Sequence, residues 1–309
     1  MNFLKFKISF LILLMIFAPI VTAKVFFVPA EKNNFDNVIK VYDIQKAKII
    51  EMKTEDYIAG VVSAEMPADF HPEALKAQAV AARTYLSEKG ACQKYEGADI
   101  CTDSSHCQAY KSVETLKQQW GDDFARYYNK ICTAVYDTKG EILLYDGEPI
   151  SAVFHSTSSG RTQNSSDVWG NSVPYLVSVE SPLDKLSPRY ASSVTISLED
   201  FKAKIKNADS NADFDNYLIS DIHHTSGGMV ESANIGGVLF SGTEIRNIFA
   251  LNSASFNLDI IGDDVVFDVR GYGHGVGMSQ YGANYMAESG SDYQSILKKY
   301  YTGAYIGLY

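Results

Sequence analysis

The stretch Glu55-Asp56-Tyr57-Ile58-Ala59-Gly60-Val61-Val62-Ser63-Ala64-Glu65-Met66-Pro67 decides how the chain is read. Thr54 before it reads as an N-cap. Glu55 and Asp56 occupy the first turn, where the helix dipole favours acids. Tyr57, Ile58, Val61 and Val62 recur at helical spacing, and Pro67 stops the helix by about Glu65. Glu65 thus closes an apolar helical pattern beside Val61, Val62 and Met66. Such neighbours desolvate a carboxyl group, raise its pKa and make it a candidate general acid. A second helix begins at Pro72, a favourable first helical residue, and ends near Gly90. Leu75, Ala79, Ala82 and Leu86 lie on one stripe, dense in alanine, so it packs closely on another helix. Arg83 lies on this helix. A buried guanidinium needs a carboxylate partner, in the site or as a structural bridge between two helices.

Outward from this pair, Val38–Tyr42 and Lys48–Met52 read as a strand hairpin. A third helix spans Glu114 to about Val135, interrupted near Gly121. The middle turns to strands: Glu141–Tyr145, Pro149–His155, Tyr175–Val179, then Val194–Ile196 before a short helix from Leu198, with paired strands to about Phe267. Ser156 to Asn171 is a polar loop. A glycine-rich loop, Gly271–Gly277, precedes two closing helices near Ser279–Glu288 and Asp292–Tyr300. Helices and strands mix without a βα repeat, so the fold class is α+β, with mixed helices and antiparallel strands around a substrate cleft. Residues 37–309 form the main domain, with two lobes drawn at about 37–180 and 181–309, after a linker at 24–36.

The 309 residues are 46% hydrophobic and 21% charged, an ordinary globular composition that excludes disorder and a polytopic membrane protein. The net charge of -10 argues against a nucleic-acid groove, which needs a basic face. Lys5 and Lys7 precede an apolar run from Ile8 to Ala23 that ends in Val21-Thr22-Ala23. This reads as a cleaved signal peptide or, uncleaved, as a membrane anchor, although the run falls short of the roughly 20 residues of a spanning helix. Either reading sends the rest of the chain out of the cytoplasm. Cleavage removes two of the 27 basic residues and leaves 37 acidic ones, taking the charge from -10 to -12.

Cys92, Cys101, His106 and Cys107 fall within one loop-like segment. Three thiolates and an imidazole have the stoichiometry of a structural zinc site. A disulfide is the rival reading, since an exported compartment permits it, and free thiols are the third. Cys132 reads as a core thiol, and His223-His224 as surface. His155 precedes four hydroxyl residues and His274 sits among glycines, which allow close backbone approach. Both read as cleft-lining groups or as hydrogen-bonded structural histidines; a zinc hydrolase built on them is a weaker alternative. The glycine loop lacks the spacing and lysine of a phosphate loop.

The Glu55–Pro67 stretch resembles the signature of the sporulation stage II protein D (SpoIID/LytB) family. So do Glu73-Ala74-Leu75-Lys76-Ala77-Gln78-Ala79-Val80-Ala81-Ala82-Arg83-Thr84-Tyr85, the Cys101–Tyr110 block and Phe154-His155-Ser156-Thr157-Ser158-Ser159-Gly160. Val168-Trp169-Gly170 with Pro174-Tyr175-Leu176 and the block from Gly271 to Ala283 complete the match. The blocks keep their order from about residue 37 to the end. The resemblance implies a lytic transglycosylase that cuts the β-1,4 bond between N-acetylmuramic acid and N-acetylglucosamine in peptidoglycan and leaves 1,6-anhydro ends. It implies a role in engulfment during sporulation, on strands stripped by an amidase/endopeptidase partner, in a complex held by a membrane protein. Carried over, the catalytic residue is Glu65 with Arg83 as companion, to orient Glu65 or bind the lactyl carboxylate. His155, Ser156, His274, Gln280 and Tyr281 are the implied substrate-binding residues. The family's zinc block matches at Cys101, His106 and Cys107, but its remaining histidine ligand falls where this chain has Tyr95, so Cys92 would substitute from farther away. No organic cofactor is implied. Some relatives are amidase enhancers, wall-binding proteins without glycan cleavage, which is the alternative function.

Overall fold

The computed structural model describes residues 37–215 and 218–308. The signal or anchor segment and the linker lie outside the described residues. Among the described residues, no helix is long and apolar enough to cross a membrane.

Strands β1 (Val38–Asp43) and β2 (Lys48–Lys53) form the expected hairpin, and α1 (Thr54–Glu65) follows at once. The cap differs from expectation. Lys53 is the N-cap residue, and Thr54 is already helical. Its amide and hydroxyl both donate to the Asn37 carbonyl at 2.9 Å, so Thr54 ties the helix to the start of β1 instead of capping it. Tyr57, Ile58, Val61 and Val62 are wholly buried. Ile58, Val61 and Val62 each contribute about 1.5–3 kcal/mol relative to exposure. Met66 is extended ahead of Pro67 and ends the helix.

Helix α2 (Pro72–Lys89) starts behind His71, whose Nδ1 accepts from the Glu73 amide, and ends at Gly90 with φ 68°. Ala74, Ala77, Ala79, Ala81 and Ala82 are buried, which lets α2 lie close to its neighbours. A short strand, β3 (Ile100–Cys101), pairs parallel with β1. The break foreseen near Gly121 is present: α3 (Val113–Trp120) and α4 (Phe124–Asp137) are separated there, where φ is 50°. Next come β4 (Glu141–Tyr145), β5 (Glu148–Pro149), β6 (Phe154–His155) and α5 (Ser165–Trp169). The expected strand at Pro149–His155 survives only at its two ends. Tyr175–Val179 forms no strand, because its polar groups bond across loops, as where the Val179 carbonyl accepts from the Thr162 amide.

Strand β7 (Ala191–Ser197), α6 (Leu198–Ala208), β8 (Ile219–His224), β9 (Val230–Ile235), β10 (Val238–Ser241), α7 (Gly242–Phe249), β11 (Phe256–Ile261) and β12 (Asp264–Arg270) build a second region. Its two antiparallel sheets, ordered β10-β9-β8 and β11-β12-β7, enclose a core of Phe201, Phe249, Phe256 and Phe267. The chain then returns. Strand β13 (Met278–Ser279), α8 (Gln280–Glu288), α9 (Tyr293–Tyr300) and β14 (Tyr305–Leu308) pack into the first core with α1 and α2. The second core is therefore narrower than a lobe running from 181 to 309.

The fold is α+β as read. Its antiparallel expectation fails at two pairs, β1 with β3 and β6 with β13, which run parallel. The second pair aligns Ser279 with His155 and joins segments more than a hundred residues apart.

Candidate active site

A cleft of about 560 Å³ opens at the end of α1. Glu65, His155, Ser156, His274, Gln280 and Tyr281 all line it. The β6–β13 pair brings them together: one strand carries His155 into Ser156, the other runs into Gln280 and Tyr281 at the start of α8. The Ser156 carbonyl accepts from the Tyr281 amide at 3.0 Å. Buried Asp184 fastens this junction, accepting from the Ser158 amide and hydroxyl and, at 2.8 Å, from the Ser279 hydroxyl.

Glu65 is half-buried, and one oxygen accepts from the Ala109 amide at 3.1 Å. Burial raises its pKa, and that single hydrogen bond offsets the rise only in part. Among the described residues lining the cleft, Glu65 is the sole carboxylate.

The histidines are fixed as neutral tautomers. His274 Nε2–H donates to the Phe154 carbonyl at 3.0 Å and its Nδ1 accepts from the Val276 amide. His155 Nδ1–H donates to the Val276 carbonyl at 3.1 Å, which leaves Nε2 as a buried acceptor with no partner among the described residues. Burial lowers the His155 pKa to about 3, helped by the adjacent His274 ring, and lowers that of His274 to about 4. Both stay uncharged at neutral pH. With both His274 nitrogens engaged, the two rings offer no metal pair. The glycine loop permits the approach: a Cβ on Gly273, where φ is 115°, would fall 2.8 Å from the His155 Cβ.

Arg83 is not in the cleft, which corrects its assignment as companion of Glu65. Its guanidinium forks onto Glu55, with Nε to Oε1 at 3.1 Å and Nη2 to Oε2 at 2.6 Å. It also donates to the carbonyls of Glu141 and Val135. Both side chains are almost wholly buried. This is the structural bridge between packed helices, with all three guanidinium nitrogens donating. The cations that do line the cleft are Lys111 and Arg189. Arg189 stacks over Tyr272, another lining residue, at 5.1 Å. Trp120 completes a wall. Sequence reasoning missed these four: they come from separate loops and a helix end, and only Tyr272 sits in a stretch already singled out.

Cys92, Cys101, His106 and Cys107 converge, with all ligand atoms within 4.8 Å of one another. The Sγ atoms of Cys101 and Cys107 stand 3.2 Å apart, and His106 Nδ1 lies 3.2 Å, 3.5 Å and 3.9 Å from Cys107, Cys101 and Cys92. Around a tetrahedral ion with bonds of about 2.0–2.3 Å, ligand atoms sit roughly 3.5–3.8 Å apart, so the donors fit zinc in kind and number, and their separations bracket that spacing. Tyr95 is no substitute ligand; it stacks flat on Tyr42 at 3.8 Å. His223 and His224 are exposed, as read.

The fold and cleft define an α+β protein that presents one partly desolvated carboxylate among neutral polar groups and the two cations Lys111 and Arg189. The sequence profile described as stage II sporulation protein matches residues 42–145. The chain is 41% identical to the stage II sporulation protein D of Bacillus amyloliquefaciens, over 86% of this chain and 77% of that protein. It is also 41% identical to the protein of that name from Bacillus subtilis strain 168, over 87% and 78%. An amidase enhancer of the same Bacillus subtilis strain is 31% identical over 82% of this chain and 40% of that longer protein. The chain belongs to the stage II sporulation protein D family.

Proposed function

We propose that the chain is a peptidoglycan lytic transglycosylase acting during sporulation, with Glu65 as its acid and base. The observation that carries this reading is the single carboxylate in the cleft. A glycosidase that uses water commonly needs two, about 5–9.5 Å apart. One suffices when the sugar's own 6-hydroxyl closes on C1. Protonated Glu65 gives its proton to the glycosidic oxygen, and the C1–O bond breaks with its electrons leaving on that oxygen. The 6-hydroxyl then attacks C1 and returns its proton to the Glu65 carboxylate. The Ala109 amide holds one Glu65 oxygen and leaves the other for the proton. His155, with its Nδ1 tied to the Val276 carbonyl, backs the cleft wall beside Ser156. Lys111 or Arg189 takes the lactyl-carboxylate role that the sequence allowed to Arg83, and the exposed faces of Tyr272 and Trp169 suit sugar rings.

Cys92, Cys101, His106 and Cys107 would hold a structural zinc ion that cross-links the loop carrying Ala109; the reaction does not pass through it. The protein works outside the cytoplasm, secreted or anchored, beside wall amidases and a membrane partner. The likeness to an amidase enhancer keeps a second reading, a wall-binding protein that stimulates an amidase without cutting glycan.

The test is incubation of peptide-free glycan strands with the protein and with Glu65→Gln, and mass spectrometry of what is released. Release of 1,6-anhydro-muramyl fragments by the wild type alone supports the transglycosylase. Strands that stay intact yet bind the protein support the enhancer.

A further inference from the structure

A second groove, of about 730 Å³, lies on the other side of Lys111 from the Glu65 cleft. Lys111 lines both, so the two adjoin. Helix α3 runs along both as well: Gln119 and Trp120 face the cleft, while Glu114, Thr115 and Gln118 face the groove. Its far wall is the β1–β2 turn, Asp43 to Lys46, with Thr102 beside it. Each cavity alone falls in the usual 300–1,000 Å³ of a ligand site.

We propose that this groove is a further glycan-binding site, taking sugar units of the same strand beyond those held beside Glu65. The proposal rests on the glycan reading of the cleft. Three observations carry it. The first is continuity with the cleft. The second is chemistry: Ser112, Thr115 and Gln118 offer neutral donors and acceptors, while Lys46 and Lys111 balance Asp43 and Glu114. Asp43 offers little free charge, since it accepts from the Gln45 and Lys46 amides and pairs with Lys46 at 3.1 Å. Walls rich in hydroxyl and amide groups fit the sugar hydroxyls, and Lys46 and Lys111 are the cations that meet the lactyl carboxylate carried by every second unit of a peptide-free strand. The third is rigidity. The Ile44 amide donates to Thr102 Oγ1 at 3.1 Å, and the Lys40 amide donates to Asp99 at 2.8 Å. These bonds fasten the hairpin to the segment that carries Cys101. On the other wall the Ser112 hydroxyl caps α3. A site held open in this way binds without the cost of ordering its walls.

The test compares peptide-free glycan oligomers of increasing length as substrates. In the wild type KM falls as the strand grows long enough to enter the groove. Gln118→Trp, an exposed position whose new ring fills the groove, loses about tenfold of that gain, and Gln118→Ala loses a smaller part, as removal of a hydrogen-bonding group does. Both keep the wild-type Tm. Identical length dependence in wild type and Gln118→Trp overturns the groove. If the wild type cuts no oligomer, the reading of Glu65 has failed, and the groove is then judged by binding of labelled long strands. About tenfold weaker binding by Gln118→Trp supports it; equal binding, or none by either protein, overturns it.

Discussion

The two ends of helix α1 carry two carboxylates that burial has turned to opposite uses. At the first turn Glu55 meets the fork of Arg83 and also accepts from the Gly140 amide. At the last turn Glu65 meets one amide and open cleft. Glu55 holds α1 and α2 to the α4–β4 connection. Glu65 is destabilised in its charged form and so is primed to carry a proton. A buried carboxylate with a guanidinium is a strut; a half-buried one without is left free to exchange a proton.

The largest expected effect breaks the reactive end. Glu65→Gln lowers glycan cleavage by about 10²–10⁴-fold, the usual worth of a positioned general acid. Unfolding curves should show no loss of stability. A large stability loss would make Glu65 a strut as well and erase the contrast.

Arg83→Ala breaks the other end. It leaves Glu55 buried and uncompensated, at a cost of about 3–5 kcal/mol in denaturant unfolding. Cleavage by the fraction that remains folded stays near wild type. Normal stability with lost cleavage would return Arg83 to the chemistry. Replacing both partners with apolar residues, Glu55→Leu with Arg83→Met, recovers much of the stability.

Metal removal probes the loop that supplies the Ala109 amide. Metal analysis is expected to find about one zinc per chain, and a chelator lowers the Tm. A mapped disulfide among Cys92, Cys101 and Cys107, with no metal present, would replace this account.

The smallest effect is a titration. Because the Glu65 pKa is raised, the native state gains stability as pH falls through it and loses that contribution as pH rises. Wild type and Glu65→Gln should therefore converge in Tm in acid, with the variant equal or higher at neutral pH. Cleavage that needs protonated Glu65 falls as pH rises through the same pKa, which forms the alkaline limb of the profile. The histidines add no inflection near 6.5, since burial holds both well below that value. Their contribution to stability is complete above about 6.5 and is lost as pH falls toward 3–4.

Much of this is legible in the chain because it is local. Helical spacing and Pro67 place Glu65 at an apolar helix end, Gly121 breaks the third helix, and Cys101, His106 and Cys107 are close in sequence. What is not legible depends on partners far apart. Arg83 demands a carboxylate, but its own spacing cannot choose Glu55 over Glu65. Two-residue strands such as β6 and β13 carry no periodic signal, so their parallel pairing, which assembles the cleft, is invisible. Lys111, Trp120 and Arg189 join the cleft by tertiary contact alone.

The central claim is that one carboxylate works with the substrate's own hydroxyl and no water. Cleavage of peptide-free strands in heavy-oxygen water tests it most directly, with the isotope content of the new muramyl ends read by mass spectrometry. The account predicts anhydro ends that carry no heavy oxygen. One heavy oxygen per cut would contradict it and require a second catalytic carboxylate.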